Sequence, residues 1–381
     1  MSADILAYRT RREAVPALCT VGANRERSQS SQPPSQAPNP PRIIVQSVPE
    51  ETEQLRRLVN GLIAPSAAID PKYFYDPQGC ALFSAICALD EYYPTRTEAA
   101  ILEANRFEIL AALSENAQWI DLGCGDCAKS RAWLSGYADP LSAPASAPPG
   151  HPVARFVGVD IAHEWLTASL AALARSFPAV PCVGIVADFT TDFDLRGVLA
   201  ERADCAPVFF YPGSSIGNFA PDGALAFLKT IRSHIADHPA GSRGGGLMIG
   251  VDLVKAQPVL EAAYDDGLGV TAAFNRNVLR VVNRLIGTDF SPERFEHIAF
   301  FNPAASRIEM HLRSAVTQDV TIAGRSRRFE AHETIVTEYS YKYTHESFGR
   351  LLAEAGFGAQ HYWTDERGWF GVWFAGLGQE R

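Results

Sequence analysis

Short apolar runs alternate with amphipathic segments between about residues 117 and 254, the pattern of strands and helices that follow one another along a chain. Residues 119–122 form one such run, interrupted by Asp121 and followed by Gly123 and Gly125. Glycine permits a sharp turn because it has no Cβ. This pattern predicts an open α/β sheet with a ligand-facing loop at the carboxyl end of its first strand, where nucleotide-type ligands bind.

Two further apolar runs end in acidic residues. The first ends in Asp160, which is placed to accept hydrogen bonds from ribose hydroxyls, and the second ends in Asp188 beside the ring of Phe189. Together with Asp121, they give three successive strands that end in an aspartate. This arrangement is typical of methyltransferases that use S-adenosylmethionine.

Weaker patterns predict the remaining elements. Upstream, we expect a helix at residues 51–63 and another at 98–113, with Thr97 as its N-cap and with the hydroxyls of Tyr92 and Tyr93 free to meet a ligand. Downstream, the pattern predicts strands at 207–211, 246–253, 297–301, 307–313, 319–322, 333–343, 360–364 and 369–375, and helices at 256–266, 273–285 and 345–355.

These elements suggest two domains and a tail. Residues 1–47 are predicted to be a disordered N-terminal tail, because residues 28–41 are rich in Ser, Gln and Pro. Residues 139–152 are predicted to be a surface loop. The fold class is α/β, and its parts are a Rossmann-like domain of residues 97–254 and 343–381 and a second, smaller α+β substrate-binding domain of residues 48–96 and 255–342.

Composition narrows the possible partners. The formal charge of −9 leaves no basic stripe for binding nucleic acid. No apolar run approaches the roughly 20 residues of a membrane span, and the N-terminus lacks the apolar core of a secretory signal. An odd number of cysteines, seven, is typical of reduced thiols. We therefore expect a cytoplasmic protein that acts on a small molecule. A monomer is a separate expectation that does not follow from the composition.

Cys124 and Cys127 form a C-x-x-C pair, for which redox or metal chemistry is an alternative. The pair lies inside the glycine loop, however, and no second pair exists to complete a zinc site. The nine histidines show no H-x-H or H-E-x-x-H spacing. We expect no metal.

Long motifs extend from about Ile69 to the C-terminus. They include F-Y-D-x-x-G, E-Y-Y-P-T-R-T-E-A-x-I-L, the glycine loop, G-S-S-I-G-N, A-Y-D-D-G-x-G-V-T-A-A-F-N-R-N-V-L, R-I-E-M and T-E-x-S-x-K-Y. In these motifs the chain resembles the histidine Nα-methyltransferases of ergothioneine biosynthesis. It departs from them in the tail, in residues 139–152, and at Asp126 and Cys127, where the family more often has small hydroxyl residues.

The resemblance implies that S-adenosylmethionine is the methyl donor and that the α-amino group of L-histidine is trimethylated to hercynine. For the cofactor, it implies contacts from Gly123, Lys129, Asp160, Asp188 and Phe189. For catalysis and substrate binding, it implies Tyr92, Asn218, Tyr264, Glu338 and Ser340, with Tyr75, Phe83 and Tyr339 as further substrate contacts. Glu338 and Ser340 are two residues apart on a predicted strand and so share one face, where they could clamp the imidazole.

Several alternatives stay open at this point. Residues 213–217 match G-x-S-x-G, the nucleophile elbow of α/β-hydrolases, although Pro221 indicates that the next helix starts several residues later. Gly123-x-Gly125-x-x-Ala128 also fits a dinucleotide fingerprint. Lys129 could be an exposed helix lysine and Asn218 a loop cap. A catalytically silent binding protein, or an N-methyltransferase for another aromatic amino acid such as a tryptophan derivative, are the other candidates.

Overall fold

The computed structural model describes residues 40–46, 51–113, 116–135, 153–190 and 193–378. The predicted tail up to residue 39 and the predicted loop at 139–152 lie outside these ranges. Within them, no helix is both long enough and apolar enough to cross a bilayer.

The strands of the described residues, in chain order, are β1 (Arg42–Val45), β2 (Ala67–Ala68), β3 (Ala117–Leu122), β4 (Val153–Asp160), β5 (Cys182–Val186), β6 (Ala206–Tyr211), β7 (Gly246–Asp252), β8 (Phe295–Asn302), β9 (Arg307–Ser314), β10 (Gln318–Ile322), β11 (Arg325–Phe329), β12 (Thr334–Tyr341), β13 (Phe357–Thr364) and β14 (Phe370–Leu377).

The α-helices are α1 (Glu51–Ile63), α2 (Pro77–Cys87), α3 (Tyr93–Ala104), α4 (Arg106–Ala112), α5 (Ala128–Ser135), α6 (His163–Ser176), α7 (Arg196–Ala200), α8 (Pro221–Ala236), α9 (Gln257–Ala262), α10 (Val270–Ile286) and α11 (His345–Glu354). Short 3₁₀ helices occur at Pro71–Phe74, Ser215–Asn218 and Pro292–Arg294.

Eight strands form one large sheet, in the order β1-β5-β4-β3-β6-β7-β14-β13. The first six strands in this order are parallel, whereas β14 runs antiparallel to both β7 and β13. Strands β3, β5, β6 and β7 are buried along their whole length, because helices cover both faces of the sheet. One face packs on α8 and α11 and the other on α3 to α6. The predicted Rossmann-like α/β fold is confirmed.

A second, smaller sheet has the order β2-β12-β9-β8. Strands β12, β9 and β8 pair antiparallel, β2 pairs parallel with β12, and helix α10 packs against β8 and β9. A parallel bridge between Leu253 and Tyr343 joins the end of β7 to the segment that follows β12. The predicted smaller second sheet is therefore present. The exact division into two domains stays a prediction.

The structure corrects the predicted start of the helix after the tyrosines. Helix α3 begins at Tyr93, with Pro94 in its first turn, so Thr97 lies inside the helix and does not cap it. Asn105 then separates α3 from α4. Only 1 % of Tyr93 is exposed and its hydroxyl binds Asp252, so the prediction that this hydroxyl is free for a ligand is wrong.

Three strands were not predicted, one of which is the two-residue strand β2. Residues 42–45, assigned to the disordered tail, form β1 beside β5, and Ile43 and Ile44 pack on opposite faces of the large sheet. Strand β11 is mostly polar and has no apolar alternation. It pairs with β10 through a two-residue turn, Ala323 and Gly324, in which both residues have positive φ. The signal for β11 lay in this turn and not in the strand itself.

Helix α11 should lose stability when its cap is removed. The Thr344 hydroxyl accepts a hydrogen bond from the Ser347 N–H (3.1 Å), and the Ser347 hydroxyl accepts one from the Thr344 N–H (2.9 Å). We expect Thr344→Ala to cost about 1 kcal/mol of unfolding free energy in a denaturant titration. The control is Thr167→Ala, because this exposed hydroxyl binds only a carbonyl of its own helix. Equal losses in the two variants would contradict the capping role.

Candidate active site

The glycine loop after β3 lies at the carboxyl edge of the large sheet. Gly123 and Gly125 have φ of +69° and +53°, a conformation that residues with side chains rarely adopt. The Gly123 N–H donates to the Val159 carbonyl (2.8 Å), and the Gly125 N–H donates to Oδ2 of Asp160 (3.0 Å). The loop is thus held against the end of β4, with its backbone exposed to the space beyond the strands.

The other predicted cofactor residues surround the same space. Asp160 Oδ1 also accepts the Ala162 N–H (2.9 Å), so each of its oxygens makes one backbone hydrogen bond and keeps a second lone pair for a ligand hydroxyl. Asp188 is buried two residues beyond the end of β5. A Cβ built on Gly123 would lie 3.4 Å from the ring of Phe189. A bare backbone loop, two carboxylates and a flanking aromatic ring fit the adenosine part of S-adenosylmethionine.

The third strand-end acid has a structural role. Asp121 is 2 % exposed and accepts a hydrogen bond from the Ser130 hydroxyl (2.5 Å), which in turn accepts one from the Trp119 indole (3.1 Å). Burial raises the pKa of Asp121 to about 7, although the Ser130 bond opposes the shift. These contacts hold β3 against α5.

Lys129 connects the glycine loop with the loop after β6. Its ammonium lies 2.6 Å from Oε2 of Glu98, which is 2 % exposed, and Oε1 of Glu98 accepts the Gly213 N–H (2.8 Å). A Cβ on Gly250 would lie 1.9 Å from the same carboxylate, so only glycine fits at that position of β7. Lys129 is therefore more than an exposed helix lysine. It lies beside Gly213, which lines the neighbouring cavity.

Cys124 and Cys127 are buried beneath the glycine loop as free thiols. A hydrogen bond with Cys127 and burial raise the pKa of Cys124, the opposite of what a reactive thiolate requires. In the part of the chain that the structure describes, no group of three or more His, Cys, Asp or Glu side chains could hold a metal ion.

Next to the glycine loop lies a small cavity between the two sheets. Seven of the predicted substrate residues line it: Tyr75, Phe83, Tyr92, Asn218, Tyr264, Glu338 and Ser340. The remaining lining residues are Ile86, Gly213, Ser214, Ser215, Ala263, Thr271, Phe274 and Met310. Side chains that are more than 260 residues apart in sequence, such as Tyr75 and Glu338, thus face one space.

An arc of aromatic rings forms one wall of the cavity. Tyr75 and Phe83 have ring centroids 5.8 Å apart, Phe83 and Tyr92 6.2 Å, and Tyr92 and Tyr264 6.4 Å, each pair edge to face. The ring centroid of Phe274 from α10 lies 6.1 Å from that of Phe83, and Phe274 also lines the cavity. Quadrupoles of such rings attract a cation placed against their faces.

Glu338 presents a carboxylate to the cavity. The side chain is half-buried, and among the described residues its carboxylate oxygens have no hydrogen-bond partner. Burial raises the pKa of Glu338 from 4.5 to about 7, and Lys342 reduces this shift. The cavity therefore contains an acceptor without a partner, which a ligand N–H could satisfy.

A buried polar cluster lies beside Glu338. The hydroxyls of Tyr264 and Ser340 are 2.8 Å apart, and the Lys342 ammonium lies 2.8 Å from the first and 2.9 Å from the second. The same ammonium is 2.8 Å from Oδ2 of Asp252, and Lys255 lies 2.6 Å from Oδ1. These five residues join the end of β7 to β12 and α9.

The charges in this cluster are mutually compensating. Burial alone would raise the pKa of Asp252, but Lys342 and Lys255 together lower it. Burial lowers the pKa of Lys255 to about 8 against the opposing effect of Asp252. For Lys342 burial also favours the neutral form, but Asp252 and Tyr264 reverse this effect and raise its pKa.

The loop after β6 carries Asn218 into the cavity. Ser214 has φ of +60°, and its hydroxyl accepts the Asp252 N–H (2.8 Å). A Cβ on Gly217 would lie 2.7 Å from the Tyr341 carbonyl, so this glycine lets the 3₁₀ helix at Ser215–Asn218 pack directly on β12. The Asn218 amide has no hydrogen bond to another described residue and is therefore not a loop cap.

The contacts of the same loop argue against the hydrolase alternative. The Ser215 hydroxyl donates to the Pro212 carbonyl (3.3 Å) and contacts the Tyr211 hydroxyl. Among the residues described, no histidine makes a hydrogen bond to Ser214 or Ser215. The helix that follows starts only at Pro221, as predicted. The strand-to-helix turn of a nucleophile elbow is absent from this loop.

Tyr339 does not line the cavity. It lies between Glu338 and Ser340 and so points to the opposite face of β12, where the Arg307 guanidinium lies 3.6 Å from its ring centre. The predicted substrate contact of Tyr339 is corrected for this reason. Conversely, Thr271, Phe274, Met310 and Lys342 were not singled out. All four belong to the long motifs quoted above, and Thr271 and Phe274 show the i, i+3 spacing of one helix face.

A second groove, of about 370 Å³, lies at the opposite, amino-terminal edge of the large sheet. Arg42 and Arg155 line it, and both are paired with Glu201 at 2.6 and 2.7 Å. None of the predicted site residues faces this groove. The candidate chemistry therefore lies in the cavity at the carboxyl edge.

Comparison with known proteins agrees with this geometry. The family model for a histidine-specific, SAM-dependent methyltransferase matches residues 54–376. The chain is 38 % identical over 323 residues to the histidine N-alpha-methyltransferase of Mycolicibacterium smegmatis (84 % of this chain, 94 % of the relative). It is 36 % identical over 319 residues to that of Mycobacterium tuberculosis (83 % and 92 %). An L-tryptophan methyltransferase of Psilocybe serbica is 25 % identical over 332 residues (81 % and 89 %). The chain belongs to the family of histidine-specific methyltransferases that depend on S-adenosylmethionine.

Proposed function

We propose that this protein transfers three methyl groups from S-adenosylmethionine to the α-amino nitrogen of L-histidine and so forms hercynine, the first step of ergothioneine biosynthesis. Family membership and the two mycobacterial relatives support the substrate. Membership in this family also argues against the nicotinamide-dependent, hydrolase and silent-binding alternatives. A monomer is part of the proposal and rests on the sequence alone.

The proposal that histidine is the substrate rests on one observation about the cavity. Glu338, an acceptor without a partner, and the hydroxyls of Ser340 and Tyr264 face the same side of the cavity. A neutral imidazole has one N–H donor and one acceptor nitrogen, so it can satisfy both kinds of group at once. An indole has only a donor. The tryptophan derivative is therefore the second candidate, supported by the Psilocybe relative and not by the polar groups of this cavity.

The remaining groups suit the amino-acid end of the substrate. We assign the carboxylate to the Asn218 amide, which has free donors, and the adjoining amine region to the rings of Tyr92 and Tyr264, which border the same wall. Tyr75 and Phe83 extend this wall, and their rings can accept an ammonium that grows from one to three methyl groups without a steric barrier. The faces of the rings stabilise the cation whether or not it still carries protons.

On the cofactor side, we assign the ribose to Asp160, the adenine to Asp188 and Phe189, and the amino-acid tail to Lys129 and the backbone near Gly123. When bound, S-adenosylmethionine supplies a methyl group that its sulfonium already activates. The protein's task is therefore to hold the amine in line with that methyl group and to exclude water. We propose that residues 97–254 and 343–381 hold the cofactor, and that residues 48–96 and 255–342 close the substrate side.

The direct test uses the purified full-length chain. We expect that incubation with excess S-adenosylmethionine and a panel of free amino acids will convert histidine to a product with three added methyl groups, detected by mass spectrometry. Fragmentation should place all three on the α-nitrogen. Methylation of tryptophan with histidine left unchanged would contradict the proposal in favour of the second candidate.

Removal of the proposed imidazole acceptor should affect histidine selectively. Glu338→Ala leaves the imidazole N–H without a partner, which costs roughly 1 to 3 kcal/mol. We therefore expect the KM for histidine to rise about tenfold or more, while the affinity for S-adenosylhomocysteine, measured by calorimetry, stays unchanged. Glu330→Ala is the control, since that carboxylate is exposed and pairs only at the surface. An unchanged preference for histidine over tryptophan in Glu338→Ala would exclude the clamp.

The raised pKa of Glu338 also predicts a pH dependence of stability. Because the folded pKa of about 7 exceeds the ordinary 4.5, the folded protein must ionise Glu338 at a cost that is fully present above pH 7 and vanishes below about pH 4.5. In Glu338→Gln this cost is absent. Without ligands, we expect Glu338→Gln to have nearly the same Tm as the wild type at pH 4.5. At pH 8 the Tm of the variant should be higher than that of the wild type by roughly 2 °C or more. A Tm difference for Glu338→Gln that does not change with pH would refute the buried-carboxylate account.

A further inference from the structure

Lys342 is a buried residue that contacts two of the proposed substrate residues, Tyr264 and Ser340, and the proposed function gives it no role. Its side chain is fully buried just after β12, and its ammonium has three oxygen neighbours: Asp252 Oδ2 at 2.8 Å, Tyr264 Oη at 2.8 Å and Ser340 Oγ at 2.9 Å. An ammonium has three protons and no acceptor. All three protons are therefore used by these neighbours, and none is directed to the cavity.

This assignment determines what the two hydroxyls can do. Each accepts a hydrogen bond from Lys342, and one of them donates to the other across 2.8 Å. Two hydroxyls carry two protons, so one proton is used in that bond and the other is left over. If Tyr264 donates, the remaining proton belongs to Ser340, whose two lone pairs are then both occupied. If Ser340 donates, the remaining proton belongs to Tyr264. Both hydroxyls line the cavity.

We propose that Lys342 is a positioning residue that determines specificity: it occupies one lone pair of Tyr264 and one of Ser340. The hydroxyl that keeps its proton for the substrate then has both of its lone pairs occupied and can act only as a donor. The inference rests on the proposed function. It explains how two hydroxyls that could otherwise donate or accept become selective for a ring nitrogen that accepts. Glu338 on the same strand face is the complementary acceptor. An indole, which can only donate, meets an unsuitable partner at the hydroxyl pair.

The charge balance makes a neutral residue at this position tolerable. Asp252 has two cationic partners, Lys342 and Lys255, so the cluster carries one positive charge in excess. Without Lys342, Asp252 keeps its pair with Lys255 and its hydrogen bond from the Tyr93 hydroxyl (2.7 Å). Removal of Lys342 therefore leaves no unpaired carboxylate. An unpaired buried charge is the usual reason for a large loss of stability when a buried ion pair is broken.

Lys255 provides a matched control. It is a buried ammonium on the same carboxylate, and Lys255→Met removes the same charge from the cluster. Its three neighbours are Asp252, Tyr93 and the Leu253 carbonyl, so it contacts neither Tyr264 nor Ser340. A general effect of charge or stability should appear in both variants, whereas an effect on the hydroxyl protons should appear only in Lys342→Met.

The experiment measures the Kd of histidine and of tryptophan by calorimetry, with the enzyme saturated with S-adenosylhomocysteine, and the KM and kcat for histidine. We expect Lys342→Met to reduce the preference for histidine over tryptophan by at least about tenfold, to raise the KM far more than it lowers kcat, and to leave S-adenosylhomocysteine binding intact. Lys255→Met should keep the preference within about threefold of the wild type. A preserved preference in Lys342→Met, or an equal loss in Lys255→Met, would overturn the inference.

If Lys342→Met does not bind S-adenosylhomocysteine, Lys342→Gln takes its place. An amide has two donors for three oxygens and so frees at least one hydroxyl lone pair; a preference reduced by about threefold or more supports the inference and an unchanged one overturns it. The two proposals fail in different ways. A wild-type enzyme that does not methylate histidine refutes the proposed function, whereas a histidine-selective enzyme with a selective Lys342→Met variant refutes only the role of Lys342.

Discussion

The buried carboxylate of Asp252 holds together the segments that surround the candidate site. It ends β7 of the large sheet, and only 1 % of it is exposed. Lys342 from the end of β12 and the Tyr93 hydroxyl from α3 bind this carboxylate, while its own N–H donates to the Ser214 hydroxyl. A buried carboxylate must be paired, because leaving it without partners would cost several kcal/mol. Each of these segments is therefore held to the end of the large sheet by the same requirement.

A second buried carboxylate performs a similar task on the cofactor side. Glu98 on α3 binds Lys129 from the first turn of α5, just after the glycine loop, and the Gly213 N–H from the loop that enters the cavity. Helix α3 thus holds both segments, and Tyr93 on the same helix reaches Asp252. One helix therefore supports both Lys129, which we propose to contact the cofactor, and the loop of Asn218, which we propose to contact the substrate. Such shared support favours the in-line geometry that methyl transfer requires.

Close backbone packing completes the arrangement. Gly217 allows the 3₁₀ helix at Ser215–Asn218 to lie directly on β12, and Gly250 leaves room for the Glu98 carboxylate against β7. In both places a methyl group would collide with an oxygen atom. Gly217 therefore determines how closely the segment that carries Asn218 packs on β12, the strand that carries Glu338 and Ser340.

Sequence by itself determined the features that depend on short-range pattern. The strand that ends in Asp160, the glycine turn, and the common face of Glu338 and Ser340 follow from local periodicity and backbone chemistry, and the structure has all of them. The next strand, β5, was also predicted, but it ends two residues before Asp188. The long motifs also indicated most of the cavity side chains. Where the pattern is weak, as in the polar strand β11, prediction failed.

Tertiary structure alone decided which polar groups are free. Tyr92 and Tyr93 are neighbours in sequence, yet the first lines the cavity and the second is buried on Asp252, because α3 starts between them. The position of Lys342 against Tyr264 and Ser340 likewise depends on how β12 packs against α9 and β7. Hydrogen-bond partners that are 78 or 90 residues distant follow from burial and packing of the whole chain, and no local pattern in the sequence encodes them.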